Sequence, residues 1–131
     1  MTMSWCFADE STPATQGVLA ELSRTHAETP ALWPFEVANA VASGIARNRI
    51  TPSEADVFLN RLAQLPIYAE ERTHPIAPLD LMPLVLRYGL TAYDAAYLDL
   101  AVCRSYALAT LDRHLIASAP KEGIRLMGQT A

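Results

Sequence analysis

The chain has 131 residues, 51% of them hydrophobic and 18% charged, so it is apolar enough to exclude intrinsic disorder and long enough for one compact domain over residues 1–131. Its net charge of −4 argues against a general nucleic-acid binder, because such a protein draws its affinity from a basic face. The absence of a leader-like segment, of an apolar run of roughly 18 residues and of zinc-type cysteine spacing predicts a cytoplasmic protein without a membrane span.

Three helices are predicted in the first half of the chain. Residues 11–25 place apolar side chains at helical spacing after a proline suited to the first helical position. Residues 34–45 repeat this pattern, and they carry Glu36 in the first turn. Residues 51–65 open with the capping-box sequence T-x-x-E and continue with one apolar stripe. Pro66 then ends the third helix.

The middle of the chain combines a short strand with a proline-rich segment. Residues 67–69 are predicted to form the strand. Pro75, Pro78 and Pro83 interrupt the apolar segment that follows, and a proline inside a helix costs about 3 kcal/mol. We therefore expect a broken or late-starting helix, which Gly89 closes.

The last third of the chain alternates between helix and strand. Thr91 is expected to cap a helix that runs to Cys103, and residues 106–111 are expected to form a strand. Asp112 would then cap a short helix, and residues 124–127 would form the last strand. Strands separated by helices predict right-handed crossovers, and therefore an α/β fold with a parallel sheet flanked by helices.

Three carboxylates stand where an apolar segment gives way to a predicted helix: Glu36, Asp94 and Asp112. Each of them alone is explained as a helix cap or a first-turn acid. Jointly they indicate more, because the junctions after the carboxyl ends of parallel strands meet at one edge of a sheet. Clustered carboxylates raise one another's pKa unless a cation compensates, so the pattern predicts a Mg²⁺ or Mn²⁺ site. Hard oxygen ligands without His or Cys nearby argue against zinc.

Other charged residues near these acids have weaker claims. Asp99 follows Asp94 by five residues, which is about 140° around a helix, so the two cannot face one site. Arg47, Arg49 and Arg113 are candidate phosphate contacts, and an ordinary charged surface is the alternative explanation for them.

The segments WPFEVANA, LTAYDAAYLDLA and LATLD together resemble the PIN-domain ribonucleases, in particular the VapC-type toxins of toxin–antitoxin pairs. The resemblance covers nearly the whole chain. It implies a three-layer α/β/α domain that cleaves RNA with Mg²⁺ or Mn²⁺, binds a protein antitoxin and forms a homodimer. It also implies roles for six residues: Glu36, Asp94 and Asp112 as catalytic metal ligands, and Asn39, Thr91 and Thr110 as their supports.

The chain departs from the family at its start. Family members begin with an apolar strand that ends in an aspartate and lies in the middle of the sheet, whereas Met1 stands where that strand would already have finished. We expect the natural reading frame to begin upstream, with an apolar strand ending in Asp. One alternative follows from this departure: a catalytically impaired PIN-like module that dimerises and binds an antitoxin. A separate alternative is a helical interaction protein without any sheet.

Overall fold

The computed structural model describes residues 1–129 of the chain. These residues belong to two compact units, Met1–Ala69 and Glu70–Ala131. Each unit contains helices and one pair of parallel strands among its described residues. The single domain over residues 1–131 stays a prediction.

The first unit combines helices with a short strand pair. Within residues 1–69 the α-helices are α1 (Pro13–Glu21), α2 (Trp33–Ala46) and α3 (Pro52–Ala63), the strands are β1 (Ala27–Thr29) and β2 (Ile67–Ala69), and 3-10 turns cover Thr2–Trp5 and Ala8–Glu10. β1 and β2 run parallel, with Ala27 opposite Ile67. The three helices and β2 confirm the sequence prediction, whereas β1 was not predicted. Pro30 follows β1 directly, so that strand is too short to show alternation.

Local capping explains where two of these helices begin. Thr51 and Glu54 form a reciprocal capping box before α3: the Thr51 hydroxyl accepts the Glu54 N–H, and the Glu54 carboxylate accepts the Thr51 N–H, both at 3.1 Å. Thr12 and Thr15 make the equivalent pair before α1. Each such cap stabilises its helix by about 1 kcal/mol. Proline at the first helical position completes both starts, because its missing N–H has no intrahelical partner there.

The first unit also contains one very close approach between α2 and the N-terminal segment. A β-carbon placed on Gly44 of α2 would lie 2.8 Å from Cζ of the buried Phe7 ring. The Arg49 guanidinium stands 3.8 Å from the centroid of the same ring. Phe7 is therefore held between the backbone of α2 and a stacked cation.

The second unit has three α-helices and a strand pair within residues 70–129. They are α4 (Pro78–Tyr88), α5 (Ala92–Arg104), β3 (Leu108–Ala109), α6 (Arg113–Ser118) and β4 (Leu126–Met127), with a 3-10 turn at Ala119–Glu122. β3 and β4 are parallel, with Leu108 opposite Leu126. Leu98 of α5 is completely buried in the core of this unit, beside Leu84 of α4 and Leu115 of α6.

The proline-rich segment contains the late-starting helix that the sequence predicts. α4 begins at Pro78, and Gly89 ends it with a left-handed φ of 65°. Only glycine adopts this conformation without a steric penalty. Pro83 lies inside α4, so the helix loses one internal hydrogen bond but continues through it.

Both strands of the second unit are shorter than predicted, because the residues before them are used to close helices. The Tyr106 N–H donates to the Ala101 carbonyl at 3.0 Å, after Ser105 turns into the left-handed region, so β3 cannot begin at residue 106. The Ile124 N–H likewise donates to the Ala119 carbonyl at 3.0 Å, which delays β4. The predictions of strand over residues 106–111 and 124–127 were therefore too long.

The parallel strand pairs and their helices confirm the prediction of a mixed α/β protein and exclude the all-helical alternative. The three-layer arrangement and the absent central strand stay predictions. Among the helices of residues 1–129, none combines the length and the apolar character that a membrane span requires.

Candidate active site

Asp94 lies in the first turn of α5, where the helix emerges from its cap. The Thr91 hydroxyl accepts the Asp94 N–H at 3.1 Å, so Thr91 caps α5 as predicted. The Asp94 side chain is half-buried. The cap therefore fixes the position of the carboxylate at the helix N-terminus.

Asp112 precedes α6 and caps it. Its Oδ1 accepts the N–H groups of His114 and Leu115, at 2.9 and 3.0 Å. The buried Thr110 hydroxyl accepts the Asp112 N–H at 3.1 Å and holds the backbone at this junction. Capping is therefore a confirmed role of Asp112, and both capping bonds go to one oxygen. The second carboxylate oxygen keeps its lone pairs for another ligand.

The two aspartates of the second unit interact electrostatically. Burial and the negative charge of Asp112 raise the pKa of Asp94, and this increase outweighs the opposing effects of the Thr91 hydrogen bond and of His114. Burial is the larger of the two causes, and the like charge of Asp112 adds to it. The pair therefore forms a locally negative site that a cation would stabilise.

Glu36 lies in the first turn of α2, in the first unit. Its side chain is exposed, and so is Asn39, three residues later on the same side of the helix. The charge of Glu36 also acts on the Met1 amino group: burial lowers the pKa of that amine more than Glu10 and Glu36 raise it. Glu36 and Glu10 are thus both within electrostatic range of the N-terminal segment.

Two of the three predicted metal ligands, Asp94 and Asp112, belong to the second unit, and the charge of Asp112 acts on the Asp94 carboxyl group. Within residues 1–129 no group of three or more His, Cys, Asp or Glu side chains is arranged to hold a metal ion. Mg²⁺ commonly uses one or two protein carboxylates and completes its octahedral shell with waters and substrate phosphate oxygens. The paired aspartates therefore fit a Mg²⁺ or Mn²⁺ ion in the chemistry of their donors. The contribution of Glu36 stays a prediction.

The three predicted phosphate contacts occupy different environments. Arg49 pairs with Asp9 at 3.1 Å and with Glu10 at 2.9 Å, so its charge is already compensated. Arg47 is exposed directly after α2. Arg113 is exposed at the start of α6, next to Asp112 in the chain. Of the three, Arg113 is the one that shares a unit with the paired aspartates.

An ion-pair network that the sequence did not reveal fixes Asp99. The Arg72 guanidinium donates to Asp99 at 2.7 Å and also bonds Glu70. Asp99 is therefore occupied by Arg72. That it does not face the same site as Asp94 stays a prediction. Arg72 lies in an irregular segment 27 residues before Asp99, and no local pattern announces such a pairing.

Exposed aromatic side chains beside the acids were also missed. Tyr93, directly before Asp94, is 66% exposed, and Phe35, directly before Glu36, is 73% exposed. Single exposed apolar side chains are normal on protein surfaces, so exposure alone assigns no role to these rings. The sequence shows these residues as the dipeptides YD and FE, but a dipeptide does not reveal whether its aromatic ring is exposed.

Because the pKa of Asp94 is raised, the stability of the metal-free protein should depend on the charge of this residue. The folded state holds the Asp94 proton more tightly than the unfolded chain does. The contribution of Asp94 to the free energy of unfolding therefore falls as the pH rises from the ordinary carboxyl pKa of 3.8 through the raised pKa. The Asp94→Asn variant is therefore expected to be more stable than the wild type at pH 7 in EDTA, and this gain should vanish below pH 3.8. Thermal melts at both pH values, followed by circular dichroism, measure it; a gain that is equal at both would contradict the proposed cause.

The fold and the paired acids together define an α/β protein with a carboxylate site at helix N-termini. No protein-family model matches the chain. Ribonuclease VapC3 of Pyrobaculum aerophilum is 34% identical to it over 91 residues, which are 68% of this chain and 68% of that protein. The chain belongs to the VapC family of ribonucleases.

Proposed function

We propose that this protein is a cytoplasmic, metal-dependent endoribonuclease that hydrolyses RNA phosphodiester bonds as the toxin component of a type II toxin–antitoxin system. The observation that carries the proposal is the electrostatic pairing of Asp94 and Asp112 in a chain of the VapC family. The negative charge of Asp112 disfavours ionisation of Asp94, so a bound divalent cation would stabilise both carboxylates. RNA brings phosphate oxygens that fill further positions around such an ion.

Asp94 and Asp112 would hold the Mg²⁺ or Mn²⁺ ion, with Glu36 as the predicted third ligand. When bound, the cation would lower the pKa of a water molecule and place positive charge at the scissile phosphate. Thr91 and Thr110 support the two aspartates through the backbone: the Thr91 hydroxyl binds the N–H of Asp94, and the Thr110 hydroxyl binds that of Asp112. These contacts support the positioning roles that the resemblance implies for both threonines.

The surroundings of the aspartates suit a single-stranded RNA. The exposed Tyr93 ring offers a stacking surface for an unpaired base next to Asp94. Arg113 offers a guanidinium that can bind a phosphate through two N–H groups. With a net charge of −4, the protein would rely on these local contacts and on the cation to bind RNA.

An apolar groove in the first unit supports the proposed antitoxin partner. The groove has a volume of about 850 Å³, and its apolar walls come from the first 3-10 turn, α1 and α3. Its main apolar side chains are Trp5, Leu19, Leu22, Phe58 and Leu65. A groove of this kind fits the apolar face of an amphipathic helix from a partner protein. The same groove supports the second candidate function, an impaired module that binds an antitoxin without cleaving RNA.

Metal removal tests the proposal. We expect the chain to cleave a fluorescent single-stranded RNA in Mn²⁺, to lose this activity in excess EDTA and to regain it when Mn²⁺ is restored. Calorimetric titration with Mn²⁺ should show specific uptake by the wild type. A chain that takes up no Mn²⁺ and cleaves nothing, but still binds an antitoxin, would instead support the second candidate.

The proposal includes a homodimer. The second unit carries exposed apolar residues on α4. Such residues are usually covered in an assembly when they form a continuous stripe.

A further inference from the structure

The outer face of α4 is an apolar stripe that no other part of residues 1–129 covers. Leu79 is 80% exposed, Met82 is 41% exposed and Leu86 is 74% exposed. Their spacing of three and four residues places them on one side of the helix, and Pro83 is exposed between them. These four residues are called the α4 stripe below.

The opposite face of α4 is already used by the core of the second unit. Leu84 is buried there, and Leu81, Val85 and Tyr88 pack against the same core. The α4 stripe is therefore not needed to hold α4 in place. A helix that is apolar on both faces exposes more apolar surface than the fold requires, which is typical of a helix that contacts a second chain.

Two charges flank the α4 stripe on the same side of the helix. Asp80 and Arg87 are seven residues apart, so they lie within about 20° of each other around the helix and about two turns apart along it. The Arg87 side chain is 61% exposed, binds Glu122 through Nη1 at 2.8 Å and also interacts with Tyr88. A guanidinium has five N–H groups, so these two partners do not use all of them. Asp80 uses Oδ2 to accept the Ala77 N–H, which leaves Oδ1 available.

This arrangement is complementary to itself about a two-fold axis. If two α4 helices pack antiparallel and their midpoint lies between Met82 and Pro83, Leu79 of each chain meets the partner's Leu86. With a two-fold axis of this kind, the side of α4 that carries Asp80 and Arg87 faces the same side of the partner's α4. The two helices run in opposite directions there. Asp80 then comes within about 3 Å, measured along the helix axis, of the level of the partner's Arg87. A parallel pairing would bring neither charge opposite its counterpart.

We propose that the α4 stripe is the contact surface of the homodimer, occupied by the same stripe of a second copy in antiparallel orientation, with two reciprocal Asp80–Arg87 ion pairs. The inference rests on the homodimer of the proposed function but is independent of RNA cleavage and metal binding. It assigns to one helix the apolar contacts that drive association and the charges that set its direction.

Light scattering after size exclusion tests the surface. The wild type is expected to be a dimer, and the Leu79→Gln/Leu86→Gln variant is expected to be a monomer. Val102→Gln is the matched control, because Val102 is 40% exposed on α5 but lies outside the α4 stripe; it should remain a dimer. A wild type that is monomeric would overturn both the homodimer and its surface. A Leu79→Gln/Leu86→Gln variant that remains dimeric would overturn the surface alone.

Charge exchange tests the orientation. Asp80→Arg and Arg87→Asp should each weaken the dimer by about tenfold or more, because each change creates two like-charge contacts. Mixing these two variants should restore a dimer that contains one copy of each, and so should combining both changes in one chain. Circular dichroism melts check that Asp80→Arg, which loses the bond to the Ala77 N–H, still folds. Folded single variants that dimerise as well as the wild type, or a mixture that stays monomeric, would overturn the antiparallel pairing.

Discussion

Asp94→Asn is expected to lower metal-dependent RNA cleavage by about 100-fold or more. The change keeps the shape of the side chain but removes the charge that, with Asp112, favours a cation, and the loss of a group that merely supports a metal ligand already costs 10- to about 100-fold. Initial rates on a single-stranded RNA, measured at saturating Mn²⁺, give the effect. Asp94 is a cleaner target than Asp112, whose replacement would also remove the cap of α6.

Asp56→Asn is the matched control for this experiment. Asp56 is an exposed aspartate of α3 in the first unit, and its replacement removes the same charge from the surface. Its cleavage rate should stay within about twofold of the wild type, since isolated surface substitutions have small effects. Retained cleavage in a folded Asp94→Asn variant would remove Asp94 from the site, and equal losses in both variants would point to a general effect of charge.

Leu98→Ala is expected to lower the free energy of unfolding by about 3 to 5 kcal/mol. Leu98 is 0% exposed at the centre of the second unit, so its truncation removes apolar contacts and leaves a cavity that well-packed neighbours fill only in part. Since a domain has a net stability of about 5 to 15 kcal/mol, this loss is a large fraction of the total. Urea denaturation followed by circular dichroism measures the change in the transition midpoint.

The comparison variant for the core is Leu59→Ala. Leu59 is 37% exposed on α3, so its truncation leaves no closed cavity, and we expect a loss of about 1 kcal/mol or less. An unfolding transition of Leu98→Ala that matches that of Leu59→Ala would show that the core around Leu98 is not packed as described.

The helices could be predicted because their signals are local. The start of α3 is specified by four consecutive positions that include Thr51, Pro52 and Glu54. In the structure Thr51 and Glu54 form the capping box, and Pro52 is the first helical residue, as expected. Gly89 marks the end of α4 in the same way, since its left-handed conformation is what glycine supplies at a helix end. Such signals depend on neighbours in the chain and not on the tertiary fold.

The strands were harder to predict because their limits depend on bonds that the sequence does not show. β1 and β2 have three residues each, and β3 and β4 have two, which is too short for a period of two to be recognised. The start of β3 is set by a bond from Tyr106 back to α5. β1 was missed entirely, as its three residues contain Glu28 and Thr29 and no apolar run.

The candidate site was predicted in part for the same reason. The positions of Asp94 and Asp112 at helix N-termini are local features, and both are where the sequence places them. The effect of the Asp112 charge on the pKa of Asp94 depends on the tertiary fold, which only the structure gives. The Arg72–Asp99 pair joins residues 27 positions apart and has no local signal.

The contact between Gly44 and Phe7 restricts how the first unit can vary. A methyl group at position 44 would stand 2.8 Å from the Phe7 ring, which is closer than two carbon atoms can approach without a shift. Because the ring is buried and a guanidinium covers it, there is little room for it to move aside. Relatives with a larger residue at position 44 should therefore carry a smaller one at position 7. The two positions, which are far apart in the chain, are expected to covary.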